Sequence, residues 1–323
     1  MEVRHHLKRS ILLCVSVLAL LTGCGEESFD APPDCEGRFL VIYARQPAVD
    51  QGDVYLFDFD GLGFHGLPGL NSTSQQELNP TLSRDVRYIA VERVLSPTDH
   101  DILVYDRCQA GTVPAPGLNT PGIERDPAFS GDATKLAFVR DTLGRREIRL
   151  YDGITDRLVP LPGIEGTGGY LDDGPVTNQN GSLIAFTRTQ GSGNDDVLIY
   201  DGVKDSLVEY PDLASSASDV DPSMTPDGRY VIFASDRASA GDYDLYLYDL
   251  QTRTFVTLPA TVNTPFMERH PSINYNTERI AFESNRTGSQ GGVDIYLLTR
   301  SSGNLSTSGS SPVVDLQPWI AWQ

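Results

Sequence analysis

The sequence predicts an all-β protein, a six-bladed β-propeller built from four-stranded antiparallel blades. Two observations lead to this fold class. A segment of 47 to 49 residues recurs along the chain, and each copy contains a run in which apolar and polar residues alternate. Alternation with period two is the mark of a half-buried strand, and a fixed period of roughly 20–50 residues marks repeat proteins. Four-stranded sheets repeated around an axis form β-propellers, usually with about four to eight blades.

The repeats align on a proline near the start of each copy. Consecutive prolines are separated by 47, 48, 47, 49 and 47 residues. Such regular spacing indicates one repeat architecture rather than several unrelated domains. The prolines are Pro80, Pro127, Pro175, Pro222, Pro271 and Pro318.

The fifth copy shows the four strands of the unit most clearly. A short strand surrounds Pro222, and the sequence TPDG at 225–228 predicts a turn, because aspartate and glycine favour turns. The dense apolar run from Tyr230 to Ala234 predicts the second strand. The alternating run DLYLYD at 244–249 predicts the third, and a weaker run at 255–258 completes the blade.

The two ends of the repeat region complement each other. The first copy begins at the second strand, since Val41 to Ala44 corresponds to Val231 to Ala234. The last copy, DLQPWIAWQ from Asp315, supplies a first strand and nothing after it. We therefore expect the C-terminal strand to pair with the first blade and close the ring. The residues predicted to hold this closure are Pro318, Trp319, Ile320 and Trp322.

The N-terminal segment predicts export. Residues 1–23 combine Arg4, Lys8 and Arg9 with a short apolar run, which is typical of a signal peptide and too short to span a bilayer. The run ends in LTGC, which resembles the bacterial lipobox and implies acylation of Cys24; the alternative is an ordinary signal peptide with a chance cysteine. Residues 24–36 would form a tether, followed by a propeller domain at 37–323. Gly25 favours the outer membrane, since the aspartate that retains lipoproteins in the inner membrane is absent.

Charge and cysteine content limit the partners. The formal net charge is −19, so we exclude nucleic acid, and we expect contact with the membrane only through the lipid anchor. Two cysteines besides Cys24 remain after cleavage, Cys35 and Cys108. In an exported protein they either form one disulfide or stay as two free thiols, and the sequence leaves both open.

The fifth copy, DPSMTPDGRYVIFASDRASAGDYDLYLYDL from Asp221, resembles the TolB-type six-bladed propeller repeats of the bacterial envelope. The resemblance extends over residues 37–323. It implies the propeller fold and a protein partner, because the TolB propeller contacts the peptidoglycan-associated lipoprotein. The chain departs from TolB in having no room for its N-terminal α/β domain and in carrying the predicted lipid anchor. We expect a monomer that binds an envelope protein.

Three residues before every proline lies an acidic residue, and each second strand ends in an arginine. If the first strands surround the axis, the acidic residues form a ring at the mouth of the channel. One interpretation is an open site for a cation or a basic partner. The favoured one is a structural belt in which the arginines pair with the carboxylates. The acidic residues are Glu77, Glu124, Asp172, Asp219, Glu268 and Asp315, and the arginines are Arg45, Arg93, Arg140, Arg188, Arg237 and Arg286.

No catalytic motif, cofactor site or metal site is predicted. The histidines outside the signal segment, His65, His100 and His270, fall in different blades, and no G-x-S-x-G or H-E-x-x-H occurs. The favoured function is a non-catalytic protein-binding scaffold. It would act through its loop-bearing face, the face with the loops between second and third strands and the links between blades. The alternative is a propeller enzyme acting on a polysaccharide, similar to oligogalacturonate lyase, or a glycan binder.

Overall fold

The structure is a computed structural model that describes residues 40–48, 51–59, 63–166, 169–191, 194–286, 292–307 and 314–320. Within these ranges the chain forms 24 β-strands and no helix. Accordingly, no helix in the described part of the chain has the length and hydropathy to cross a bilayer. The predicted signal peptide, Cys24, Cys35 and Trp322 lie outside the described residues, as does the side chain of Asp315.

The described strands form four sheets of four strands and one sheet of eight. The first sheet joins the two ends of the chain, in the order β24–β1–β2–β3. Its strands are β1 (Leu40–Ala48), β2 (Gln51–Asp58), β3 (Gly63–His65) and β24 (Val314–Ile320). The eight-stranded sheet contains β4 (Gln76–Leu82), β5 (Tyr88–Ser96), β6 (Asp99–Asp106), β7 (Gly111–Val113), β8 (Ile123–Phe129), β9 (Lys135–Thr142), β10 (Arg145–Asp152) and β11 (Arg157–Val159).

The remaining three sheets each consist of four strands that are consecutive in sequence and antiparallel. The third contains β12 (Tyr170–Thr177), β13 (Leu183–Gln190), β14 (Asn194–Asp201) and β15 (Ser206–Val208). The fourth contains β16 (Asp219–Met224), β17 (Tyr230–Ser239), β18 (Asp242–Asp249) and β19 (Thr254–Val256). The fifth contains β20 (Glu268–Ile273), β21 (Arg279–Ser284), β22 (Asp294–Thr299) and β23 (Asn304–Thr307).

The eight-stranded sheet consists of two sets of four antiparallel strands. Strands β4 to β7 and β8 to β11 follow the same order as the smaller sheets, and a single parallel pairing of His100 with Ile123 joins the two sets. The predicted all-β propeller fold is therefore confirmed.

The core lies between neighbouring sheets. The second strand of a sheet is buried on both faces, as Phe138, Phe186, Phe233 and Phe282 show. One apolar cluster contains Ile232 from β17 together with Phe282 from β21, so adjacent sheets share it. Burying a phenylalanine side chain contributes roughly 1.5–3 kcal/mol. This packing explains why the second strands appear in the sequence as dense apolar runs, whereas the third strands alternate.

Candidate functional site

The six residues that directly precede the repeat prolines all have left-handed backbone, and we call this set the axial ring. Their φ angles lie between 44° and 55°. Each sits at an irregularity of strand pairing, where the register shifts between the flanking residues. This conformation costs roughly 1–2 kcal/mol for a residue with a side chain, and a following proline disfavours it further. The axial ring consists of Asn79, Asp126, Gly174, Asp221, His270 and Gln317.

The axial ring lines a cavity of about 530 Å³, which we call the axial pocket. The repeat prolines also line it, together with three arginines, Arg125, Arg146 and Arg269. Cavities of this size accommodate small ligands or inserted side chains. Arg146 is the second residue of β10 and Thr189 is the last but one of β13, so both lie next to the loops between second and third strands. The pocket therefore opens on the loop-bearing face.

Trp319 lies in the wall of the axial pocket and packs across the axis. It contacts an apolar cluster containing Leu82 and a second cluster containing Val176 and Met224. Its indole Nε1 donates a hydrogen bond to the carbonyl oxygen of Leu82 at 3.1 Å. The corresponding residues of the other repeats are small or medium-sized, so Trp319 is the one large side chain at this repeat position.

One arc of the axial ring is built around Asn79. Its Nδ2 donates to Asp126 Oδ1 at 2.6 Å and to Glu92 Oε2 at 2.5 Å. The other oxygen of Glu92 lies 2.6 Å from His100 Nδ1, and this hydrogen bond raises the pKa of His100. Burial raises the pKa of Asp126 to about 7; Arg125 opposes the rise, and Glu92 adds to it.

A second arc continues from Asn79 through the last strand. The backbone N–H of Asn79 donates to Gln317 Oε1 at 3.1 Å, and the N–H of Gln317 donates to Glu283 Oε1 at 2.5 Å. His270 places Nδ1 3.1 Å from the same Glu283 oxygen and Nε2 3.5 Å from Asp221 Oδ1. Burial lowers the pKa of His270, but the two carboxylates raise it more, to about 9. His270 is therefore cationic at neutral pH.

The predicted acidic residues lie beneath the channel wall rather than at its mouth. Glu77, Glu124, Asp172, Asp219 and Glu268 are buried, and they are absent from the lining of the axial pocket. Each accepts a hydrogen bond from its predicted arginine at 2.7 to 3.0 Å. In this arrangement the five carboxylates are not open to a cation.

These ion pairs also attach the links that connect one set of four strands to the next. Glu124 accepts hydrogen bonds from the N–H and hydroxyl of Thr120, and Arg140 donates to the carbonyl oxygen of Leu118. The same arrangement recurs around Glu268, with Thr264 and Arg286. A buried carboxylate thus binds a second strand and the preceding link at once, as a structural belt requires.

The sixth pair follows the same register, but only in part within the described residues. Arg45 is the backbone partner of Asp315 across β1 and β24. Its guanidinium lies 4.8 Å from the ring centroid of Tyr55 and donates to the hydroxyl of Tyr43 at 3.0 Å. The side chain of Asp315 lies outside the described residues.

Other predicted residues have clear places. Pro318 and Ile320 are buried, and the N–H of Ile320 donates to Ser272 Oγ at 2.9 Å. Cys108 is disulfide-bonded, while Cys35, the partner in one of the two alternatives that the sequence left open, lies outside the described residues. His65 Nε2 lies 3.7 Å from Asp58 Oδ2 in the first sheet. The other two histidines lie in other sheets, His100 in β6 and His270 in β20.

The axial ring was not predicted from the sequence, although a signal exists. Five of the six residues before the prolines are polar, and the sixth is glycine. Asparagine and aspartate are the non-glycine residues that best tolerate left-handed backbone. The sequence analysis considered the position three residues before the proline and not the position directly before it. A residue before proline favours extended backbone with negative φ, so local preferences do not predict left-handed backbone there.

No protein-family model matches the sequence, and no match among the curated proteins was found. Solved structures do match. TolB from Acinetobacter baumannii superposes with a TM-score of 0.70 at 19% sequence identity, over 88% of this chain and 66% of that one. A candidate TolB from Agrobacterium tumefaciens gives 0.57 at 13% identity, over 87% and 89%. The chain has the fold of a TolB-type β-propeller.

An oligogalacturonate lyase in complex with manganese shares this fold as well, with a TM-score of 0.52 at 16% identity, over 79% of this chain and 70% of that one. At these identities the likeness shows the architecture alone. The chain also spans less than two thirds of the Acinetobacter TolB. Function must therefore be argued from the axial pocket and the loop-bearing face.

Proposed function

We propose that this protein is a non-catalytic lipoprotein of the bacterial cell envelope whose propeller binds another envelope protein through the loop-bearing face. The observation that carries the proposal is the axial pocket: a strained, polar ring on a TolB-type fold that opens towards this face. Residues in sparsely populated backbone regions cluster at functional sites, because strain persists only where the surrounding structure enforces it.

The proposal includes a ring of six blades closed by the C-terminal strand. Six axial-ring residues support this count, as do the two sets of four strands within the eight-stranded sheet. The pairing of β24 with β1 supports closure. So do the hydrogen bonds that attach the last strand to its neighbours on both sides, from Ile320 to Ser272 and from Trp319 to Leu82.

We further propose that residues 1–23 are removed, that Cys24 is acylated, and that residues 24–36 tether a monomeric propeller to the outer membrane. The support is the LTGC sequence at the end of the apolar run, followed by glycine. Fractionation of cells expressing the full chain should place the wild type with outer-membrane markers. The Cys24→Ser variant should be released into the soluble periplasmic fraction; equal membrane retention of both would reject acylation at Cys24.

A propeller enzyme acting on polysaccharide is the second candidate, favoured by the likeness to oligogalacturonate lyase. The donor set does not fit that relative's manganese. Among the described residues, no three His, Cys, Asp or Glu side chains converge closely enough to hold a metal ion. Turnover of polygalacturonate by the purified protein in the presence of manganese would overturn the scaffold proposal.

A site-specific photo-crosslinker tests which face binds the partner. Leu143, in the loop between β9 and β10, is 101% exposed on the loop-bearing face. Val203, in the turn between β14 and β15, is 83% exposed at the opposite end of the blade and serves as the matched control. In cells, the probe at 143 should give a discrete protein adduct and the probe at 203 should not. Adducts of equal yield at both positions, or at 203 alone, would contradict the proposal.

A further inference from the structure

One wall of the axial pocket holds more hydrogen-bond donors than its own acceptors use. Arg125 on β8 and Arg146 on β10 both donate to Asp173 on β12, one to each carboxylate oxygen. A guanidinium carries five N–H donors. Among the described residues, the buried Nε of Arg125 has no hydrogen-bond acceptor, although it lies 3.8 Å from Asp126 Oδ2, and Arg146 makes no further hydrogen bond.

The other carboxylates of the pocket are already engaged. Asp195 accepts hydrogen bonds from two hydroxyl groups, at 2.5 and 2.9 Å. Asp221 accepts two from Arg269, at 2.8 and 3.2 Å. Asp126 accepts one from Asn79 at 2.6 Å. Each of these carboxylates thus already has a hydrogen-bond donor, whereas Arg125 and Arg146 have N–H groups without an acceptor, and such groups suit a ligand that brings acceptors.

The axial ring leaves space beside these arginines. Gly174 is its one member without a side chain, and no heavy atom beyond its chain neighbours lies within 4 Å of where a β-carbon would stand. Arg125 and Arg146 remain 28% and 33% exposed. A group that enters from the loop-bearing face can therefore reach both guanidinium groups through the gap at Gly174.

The electrostatics of this wall permit an anion despite the acidic protein. Because burial raises the pKa of Asp126 to about 7, this carboxyl is partly protonated at neutral pH. The charged groups that act on it are Arg125, Glu92 and Asp173. Charges elsewhere on the surface are screened over about 8 Å at physiological ionic strength. A bound anion thus meets two guanidinium groups that share one carboxylate, Asp173, and a second carboxyl group, Asp126, that can take up a proton.

From these contacts we infer that the axial pocket binds a carboxylate group of the partner polypeptide, held by Arg125 and Arg146 beside Gly174. The planar guanidinium fork matches the two oxygens of a carboxylate. The inference rests on the proposed function, because the carboxylate belongs to the protein that docks on the loop-bearing face. It extends the proposed function by naming the chemical group of the partner, a carboxylate, that the pocket binds.

Calorimetric titration of the full chain with acetyl-Gly-Ala tests this site, with its C-terminal amide as the matched probe. The free acid should bind. The amide should bind at least about ten-fold more weakly, because hydrogen bonds to charged groups are stronger than those to neutral groups. The Arg146→Gln variant should lose about ten-fold in affinity for the acid. Arg145→Gln removes the same charge from the neighbouring residue, which is 59% exposed and outside the pocket lining, and should bind like the wild type.

Equal binding of acid and amide by the wild type, or no binding of the acid, would overturn the inference without relying on any variant. Preference for digalacturonate over the peptide acid would also overturn it and point to an acidic glycan. Crosslinking at position 143 separates the two proposals. If Arg146→Gln leaves the adduct yield unchanged, the scaffold function stands and the carboxylate site is rejected.

Discussion

Asp172 and Arg188 face each other across β12 and β13 and are joined by two hydrogen bonds of 2.7 Å. Both side chains are buried, and the guanidinium lies 4.7 Å from the ring centroid of Tyr170. Burial raises the pKa of Asp172, and Arg188 opposes the rise. The pair shows how the structural belt is built. A buried carboxylate without a cation would destabilise the fold, and here two hydrogen bonds from an arginine on the next strand compensate its charge.

Breaking this pair on one side should be far more costly than removing it. The Arg188→Ala variant leaves Asp172 buried without its cation, and we expect it to lose about 3–5 kcal/mol of unfolding free energy. The double variant Asp172→Leu, Arg188→Leu should be more stable than Arg188→Ala, because no uncompensated charge remains. Urea unfolding measures both.

Arg145→Ala is the control for that series, because Arg145 pairs with Glu147 on the exposed surface. It should cost only about 0–1 kcal/mol. If Arg188→Ala is no more destabilising than this control, Arg188 is not part of a structural belt.

His270 should make the protein less stable in alkaline solution. Its pKa is raised from 6.5 to about 9 in the folded state, because Asp221 and Glu283 outweigh the effect of burial. The folded state therefore binds more protons than the unfolded state between these values, and stability falls as pH rises through them. The contribution is complete below pH 6.5 and lost above about 9. Urea midpoints across this range should fall for the wild type and change less for His270→Asn, which also tolerates the left-handed backbone; parallel slopes would contradict the assignment.

Asp126 should change the stability of the protein over a lower pH range than His270 does. Its pKa rises from 3.8 to about 7 on folding, chiefly through burial. Between these values the folded state again binds more protons, so this carboxyl reduces stability progressively as pH increases from about 4 to about 7. Asp126→Asn keeps the shape and removes the titration. Its stability relative to the wild type should improve over that window, and a constant difference would contradict the raised pKa.

The repeat architecture was predictable because its signals are local. The run at 230–234 lies in β17, the run at 244–249 lies in β18, and the TPDG turn falls between β16 and β17. Arg237 and Arg286 show the limit of such alignment. The register partners of Asp219 and Glu268 are Ser235 and Ser284, and each arginine reaches its carboxylate from two residues further on.

The axial pocket could not be read from the sequence, because its contacts join different repeats. Asn79 meets Asp126 of the next repeat and Gln317 at the far end of the chain. Arg269 turns back to Asp221 of the preceding repeat, whereas Arg125 reaches forward to Asp173. Arg125 and Arg269 both lie two residues before a repeat proline, so the same alignment position pairs in opposite directions. The direction depends on side-chain packing rather than on spacing.

Trp319 should contribute more to the free energy of unfolding than any other residue at its repeat position. Trp319→Ala removes the indole from between two apolar clusters and deletes its hydrogen bond to Leu82. Truncating a buried tryptophan typically costs about 3–5 kcal/mol, and we expect about 3 kcal/mol because Trp319 is only partly buried. Ser223→Ala, at the same repeat position, is the matched control and should cost less, about 1–3 kcal/mol, as the loss of one buried hydrogen bond. Equal losses in urea unfolding would show that the indole contributes no more than the small residue at the same repeat position.

Removal of residues 315–323 should open the ring. Strand β24 pairs with β1 from Val41 to Gln46, so its loss exposes the backbone edge of β1. Unpaired strand edges invite association with other chains. We expect the truncated protein to form oligomers in size-exclusion chromatography with light scattering and to melt at a lower temperature. Trp319→Ala retains the strand and should stay monomeric. A truncated protein that is monomeric and melts like the full chain would contradict closure by the C-terminal strand.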